Sequence, residues 1–288
     1  MSSQLKTITK IIESPQPHWV GDGFFVRPLF ADFAFQRDIS PFLMLDYAAP
    51  ARFKPSDTPP GVGPHPHKGF ETVTIVYDGE VEHRDSTGAI GCIGPGDVQW
   101  MTAGSGIVHE EFHSRAAAKT GGVVSMSQLW VNLPKRDKSA APHYQDIRND
   151  SIPEVSVGGG VVRVIAGEFQ GQSGPASTFT PVQVWDMRLK AGDRVTLTLG
   201  EGDTALLPVL QGRVKLNGER EVAASRLVMF STAGASIEVE AIDDAILLLL
   251  GGEPIDEPVA AYGPFVMNTQ DEIRQAISDY RAGKMGSL

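Results

Sequence analysis

Cysteine is nearly absent: Cys92 stands alone among 288 residues, which excludes an intrachain disulfide framework and any thiolate-based zinc ribbon. The fold has to stand on its buried core, and a reducing compartment is permitted. Long apolar runs are missing too. The longest, residues 245–250 followed by Gly251 and Gly252, is far too short to cross a bilayer, and residues 1–10 contain no apolar h-region. These absences lead to the expectation of a soluble, cytoplasmic protein that contacts no membrane. Positive charge is in deficit, since 25 Lys and Arg against 35 Asp and Glu give a net charge of −10, which disfavours a grip on nucleic acid or anionic lipid. Histidine is missing from the second half: all seven lie at positions 18, 65, 67, 83, 109, 113 and 143. Any imidazole-based site therefore belongs to the first half of the chain.

What is plentiful is turn chemistry, with 31 Gly and 20 Pro, a composition that favours many short strands over long helices. Apolar or alternating runs recur between turn signals at residues 72–77, 123–133, 160–166, 182–189, 194–199, 205–210, 227–230 and 237–239. A polar, proline-bounded stretch at residues 134–153 separates two such series. The expectation is an all-β chain with two β-domains, residues 1–135 and 145–288. A faint repeat supports duplication, because Tyr77-Asp78-Gly79-Glu80-Val81 and Leu210-Gln211-Gly212-Arg213-Val214 both read strand, glycine turn, strand. The second domain is expected to end in a helix over residues 269–282. Thr269 and Glu272 form a capping box there, Ile273, Ala276, Ile277 and Tyr280 share one face, and Gly283 is the stop.

The chemistry concentrates in two short motifs. His65-Pro66-His67 places two imidazoles at i and i+2, on one face of an extended segment, and His109-Glu110-Glu111 gives His109 and Glu111 the same parity. If the two segments are neighbouring strands, three nitrogens and one carboxylate converge. Such a set suits a first-row metal and leaves coordination positions open; iron, copper, nickel, zinc and manganese all accept it. Glu110, of opposite parity, is expected to face away. Glu71 is assigned a role in orienting a ligand imidazole or moving a proton.

The other candidates receive structural readings. His83 is read as a hydrogen-bonded interior residue, His113 as peripheral, and His18 and His143 as solvated residues of loops. Cys92 is read as a small interior residue, and Trp100, Met101 and Phe112 as core.

The stretches HPHKGFETVTIVYDGEVEHRDSTG (65–88) and GPGDVQWMTAGSGIVHEEFHS (94–114) resemble the pirin family of bicupins. PFLMLD (41–46) and GPFVMNTQDEIRQAISDYRAGKMG (263–286) resemble it as well, so the likeness runs nearly end to end. The resemblance implies two tandem cupin jelly-roll barrels, sufficient as a monomer, with Fe(II) held by His65, His67, His109 and Glu111. It implies a second barrel that has lost its ligands. Laying Gly79 on Gly212 agrees, since Thr198, Gly200 and Thr204 then answer His65, His67 and Glu71.

The activity implied for bacterial members is a quercetinase-type dioxygenase, which opens an aromatic ketoenol with O2 and releases carbon monoxide. In that reaction Glu111 or Glu71 takes the substrate proton. The alternative is a regulatory protein whose iron oxidation state alters a surface read by a protein partner. A third reading is a bicupin whose metal only stabilises the barrel.

Overall fold

The computed structural model describes residues 4–31 and 36–288. Contacts divide the chain into two compact units, and each is built from one seven-stranded and one four-stranded antiparallel sheet. The all-β expectation holds. Among the described residues no helix is long and apolar enough to cross a membrane.

The first unit gathers Leu43–Asn149, a segment beginning at Gln16, and Asp256–Leu288. Its larger sheet runs in the order His143–Ile147, Val98–Thr102, Phe70–Asp78, Gly122–Asn132, Phe42–Phe53, Phe24–Phe30, His18–Val20. Its smaller sheet runs Gly61–His67, Ile107–His113, Val81–Asp85, Ile90–Ile93. One end of the interior is apolar, where Phe24, Val26, Ala48, Val76, Val81, Ile93 and Met126 pack together. Alternation follows from the pleat: Val76 and Met126 are cross-strand partners inside, as are Val81 and Ile93.

The second unit gathers Asp150–Ile255, the N-terminal residues up to Pro15, and a short segment ending at Phe42. Its larger sheet runs Ile8–Glu13, Arg226–Phe230, Thr204–Gln211, Ala245–Gly252, Val182–Leu189, Gly160–Ala166, Glu154–Val157. Its smaller sheet runs Arg194–Thr198, Ser236–Ala241, Arg213–Leu216, Arg220–Ala223. The strand orders of the two units correspond position by position. The faint repeat is real at its turns, where Gly79 and Gly212 adopt φ of +80° and +76°, a region closed to most side chains.

The expected boundaries 1–135 and 145–288 are corrected at both termini. Strand Ile8–Glu13 pairs with Arg226–Phe230 and belongs to the second unit. It occupies there the sheet position that His143–Ile147 occupies in the first, and Ile8 and Ile11 pack on the second unit's core. The helix Gln270–Arg281 forms with both halves of its capping box, yet it belongs to the first unit. Its Ile273 and Ala276 pack with Val108, Phe265 and Met285. Each strand or stripe went to the partner that covers its apolar face, and sequence adjacency did not decide which.

Candidate metal centre

The strands Gly61–His67 and Ile107–His113 are antiparallel neighbours, and His109 pairs directly with His65. The pleat turns His65, His67 and His109 to one side. Their ring centroids lie 4.3 Å apart for His65 and His109, 4.8 Å for His67 and His109, and 4.9 Å for His65 and His67. One ligand atom from each falls within 4.8 Å of the others, and among the described residues this is the only such group of His, Cys, Asp or Glu.

The donors are in the state a metal needs. Burial, reinforced by the neighbouring imidazoles, holds His67 and His109 well below the usual histidine range. Both rings are therefore neutral at pH 7 and keep free lone pairs. Both nitrogens of His109 and Nδ1 of His67 are buried without a hydrogen-bond partner. Orphaned buried nitrogens are costly, and two rings sharing that defect at one point, with a third imidazole alongside, fit a cation that accepts their lone pairs. His65 is half-buried, and its Nδ1 lies 2.9 Å from the Gly63 carbonyl. If Nδ1 carries the proton and donates it there, Nε2 is left for coordination.

Glu111 stands apart from this group. A register irregularity falls between His109 and Glu111, and the Gln128 amide donates to the two carboxylate oxygens at 3.3 and 3.1 Å. Burial pushes its pKa up, opposed by the charge of His65 and by Gln128. Glu110 takes the opposite face, as parity requires.

Glu71 is not brought to the triad. Its strand pairs Thr72 with Trp130 and Thr74 with Gln128, and Trp130 and Gln128 touch His67 and Glu111 respectively. Thr72 and Thr74 thus share the site face, and Glu71, one residue off, takes the other. There it accepts a 2.7 Å hydrogen bond from Thr102 Oγ1, and burial raises its pKa to about 7.

The remaining histidines are structural. His83 is buried, stacks on Tyr144 at 5.2 Å, and contacts the Gln99 amide. Gly91 makes room for that ring, since a Cβ there would overlap it. His113 Nε2 lies 2.9 Å from the Gly23 carbonyl, with Phe24 and Phe53 around the ring. His18 and His143 sit on strands, which corrects the loop assignment; both are exposed. Cys92 is also exposed, which corrects its interior assignment. On the edge strand Ile90–Ile93, Ile93 faces in and Cys92 alternates out. Trp100 and Met101 are fully buried, whereas Phe112 is only half-buried.

Sequence reasoning missed Phe70, Trp130 and Gln128. Phe70 and Trp130 pack at 4.2 Å from each other and at 5.1 and 5.3 Å from His67, forming an aromatic wall. No spacing signal marks them, because their place depends on pairing with strands far away in sequence.

In the second unit the corresponding positions are apolar. Val81 pairs with His113 and its counterpart Val214 with Ala241, so Val239 answers Glu111 and Ile237 answers His109. Ile237 in turn pairs with Leu197, as His109 pairs with His65, and Leu199 follows at the place of His67. The expected equivalents Thr198 and Gly200 are thus corrected by one residue. Thr204 does answer Glu71, because the second unit carries one more residue between these two strands.

A jelly-roll barrel with three converging imidazoles beside an apolar twin defines a bicupin with one metal-type site. The sequence matches the family described as Pirin over residues 24–131 and the Pirin C-terminal cupin domain over residues 184–286. A Pseudomonas aeruginosa protein named "Putative quercetin 2,3-dioxygenase" is 51% identical over 282 residues, covering 97% of this chain and 98% of that one. Mouse pirin is 37% identical over 257 residues, covering 87% of this chain and 84% of that protein. The crystal structure of an Acinetobacter baumannii quercetin 2,3-dioxygenase superposes with a TM-score of 0.97 at 47% identity, covering 98% of this chain and 99% of that one. The chain belongs to the pirin family.

Proposed function

We propose that this protein is an Fe(II)-dependent dioxygenase acting on flavonol-type substrates. The observation that carries the reading is the convergence of three imidazoles, two buried and one half-buried, with nitrogens of His67 and His109 that no protein group satisfies. The names of the Pseudomonas and Acinetobacter relatives support the substrate class.

His65, His67 and His109 would hold the ion, with Glu111 as the fourth ligand from the same face of its strand. A ferrous ion there supplies Lewis acidity that lowers the pKa of an enol hydroxyl, together with one-electron chemistry toward dioxygen. Glu111, its basicity raised by burial, is the group to take the substrate's hydroxyl proton, and Gln128 orients its carboxylate. Half-buried Trp130 offers an apolar ring to an aromatic substrate, and fully buried Phe70, tilted 33° against it, packs with it and keeps water from His67. Half-buried His65, on the edge strand of its sheet, is the side from which a substrate reaches the triad. Glu71 has no part, because it faces the other side of its sheet.

The test is quercetin-dependent oxygen uptake by protein reconstituted anaerobically with Fe(II), beside the His109→Ala variant and with metal content recorded for both. Uptake by the wild type and none by the variant is the expected result. Full iron occupancy without uptake would overturn the enzyme reading in favour of a regulatory protein that responds to the iron oxidation state.

A further inference from the structure

A barrel made of two open sheets keeps free edges where the sheets are not joined, and a free edge carries a row of N–H and C=O groups with no partner in the sheet. In the second unit the strand Ile8–Glu13 ends the larger sheet and Arg220–Ala223 ends the smaller one. A groove of about 610 Å³ lies between them, lined by residues 5–11 on one side and by Leu216, Asn217, Glu219 and Arg220 on the other. It runs on into a hollow of about 350 Å³ that shares Ile11 and Arg220 and reaches Arg213 and Arg226. In the first unit the edges at the same places, His143–Ile147 and Ile90–Ile93, are tied together by the next residue, Arg148, whose Nη1 donates to the Cys92 carbonyl at 3.1 Å and to Asp97 Oδ2 at 2.9 Å. The second unit's tie, from Asn217 Nδ2 to the Lys6 carbonyl at 2.9 Å, sits at one end and leaves the groove open beyond it.

The register decides which backbone groups face this groove, because in an antiparallel ladder alternate residues bond the partner strand and those between them point away. Ser14 N bonds the Ser225 carbonyl at 3.1 Å, so Ile12 and Lys10, opposite Leu227 and Met229, are turned into the sheet. The N–H and C=O of Ile11 and Glu13 are turned out of it. On the other rim Ala224 N bonds the Gly212 carbonyl at 2.9 Å, so Val222 is turned to its partner Val214, and Glu221 and Ala223 are turned out. We infer that this groove docks an extended, acidic peptide segment of a protein partner, added as a strand along Ile8–Glu13. Main-chain bonds to the free edge supply affinity, as in other strand additions. Charge selects the occupant: the accessible charged side chains along the groove are Lys10, Arg213, Arg220 and Arg226 against Glu219 and Glu221, in a chain where acids outnumber cations 35 to 25. Arg213 and Arg226 already face Asp243 and Glu13, whereas among the described residues no ion pair engages Arg220. A second copy of this chain fits less well, because a twofold contact sets the cationic groove against itself.

The experiment follows the fluorescence anisotropy of a labelled peptide of alternating glutamate and threonine as the full chain is added. Its controls are a lysine-threonine peptide and the glutamate peptide N-methylated at every backbone nitrogen, which keeps the charge and removes the strand's donors. The glutamate peptide is expected to bind saturably and about tenfold or more tightly than either control. Ile11→Pro removes an outward N–H and leaves the Lys10 and Ile12 bonds to the sheet in place. Arg220→Glu reverses the charge of an exposed side chain and leaves the core untouched, so it stands even if Ile11→Pro fails to fold. Each variant is expected to weaken the glutamate peptide about tenfold, at wild-type metal content. The inference is overturned by absence of saturable binding, by equal binding of the methylated peptide, which shows attraction by charge alone, or by an affinity that Arg220→Glu leaves unchanged. Neither the metal nor oxygen uptake enters the measurement, so its outcome is independent of the dioxygenase reading.

Discussion

The two barrels share a strand order and differ in what fills them. Where the first places His65, His67, His109 and Glu111, the second places Leu197, Leu199, Ile237 and Val239, all within one apolar cluster. The jelly-roll frame is therefore indifferent to whether these positions carry ligands. In the second barrel the positions contribute packing, about 1.5–3 kcal/mol for each large side chain fully buried. In the first they carry desolvated polar groups, a stability cost that a function explains better than folding does.

The largest test of that contrast is removal of a ligand. His109→Ala is expected to weaken metal binding by about 100-fold or more, measured as metal retained after dialysis against a competing chelator. The matching change in the apolar barrel acts on stability instead. Leu197→Ala should cost about 2–5 kcal/mol in denaturant unfolding while folded protein keeps its metal; metal loss at full folding would show that the barrels are not separable in this way.

Acid should distinguish the barrels as well. His67 and His109 are held well below their ordinary range when folded, so below about pH 6.5 the unfolded chain binds protons that the folded chain does not. The metal-free protein should then lose up to about 3 kcal/mol per pH unit for the two groups, visible as a falling Tm. Insensitivity of the metal-free Tm between pH 6.5 and 5 would contradict their burial as neutral rings.

Glu71 carries the opposite sign. Its folded pKa is raised to about 7, so its contribution is fully present below about pH 4.5 and is lost as pH rises toward 7. Glu71→Gln should remove that slope, gaining up to about 3 kcal/mol over the wild type above pH 7, with metal content unchanged. Loss of metal in this variant would place Glu71 on the site face after all. The smallest effect belongs to Glu111→Gln: on the proposal that Glu111 is a fourth ligand, it is expected to lower metal affinity about tenfold while the triad stands.

Much of the site was legible because its signal is local. The i, i+2 spacing of His65 and His67, and of His109 and Glu111, declares a shared face once each segment is extended, and the absence of histidine beyond residue 143 assigns the site to one barrel. The capping box at Thr269 and Glu272 is equally local and formed as read. Glu71 was misplaced because its face depends on pairing with residues 98–102 and 122–132, not on its distance from His67.

The same reason separates the two kinds of information throughout. The sequence by itself determined the strand-rich class, the duplicated glycine turns, the two paired motifs and the helix with its cap. Only the tertiary structure decided that residues 8–13 complete the second barrel and residues 270–281 cover the first. It alone decided that Leu197, not Thr198, stands opposite Ile237. In a strand the side-chain period is two, so one residue more or less in a connection exchanges the inner and outer faces. That count becomes meaningful only when a distant strand supplies the register.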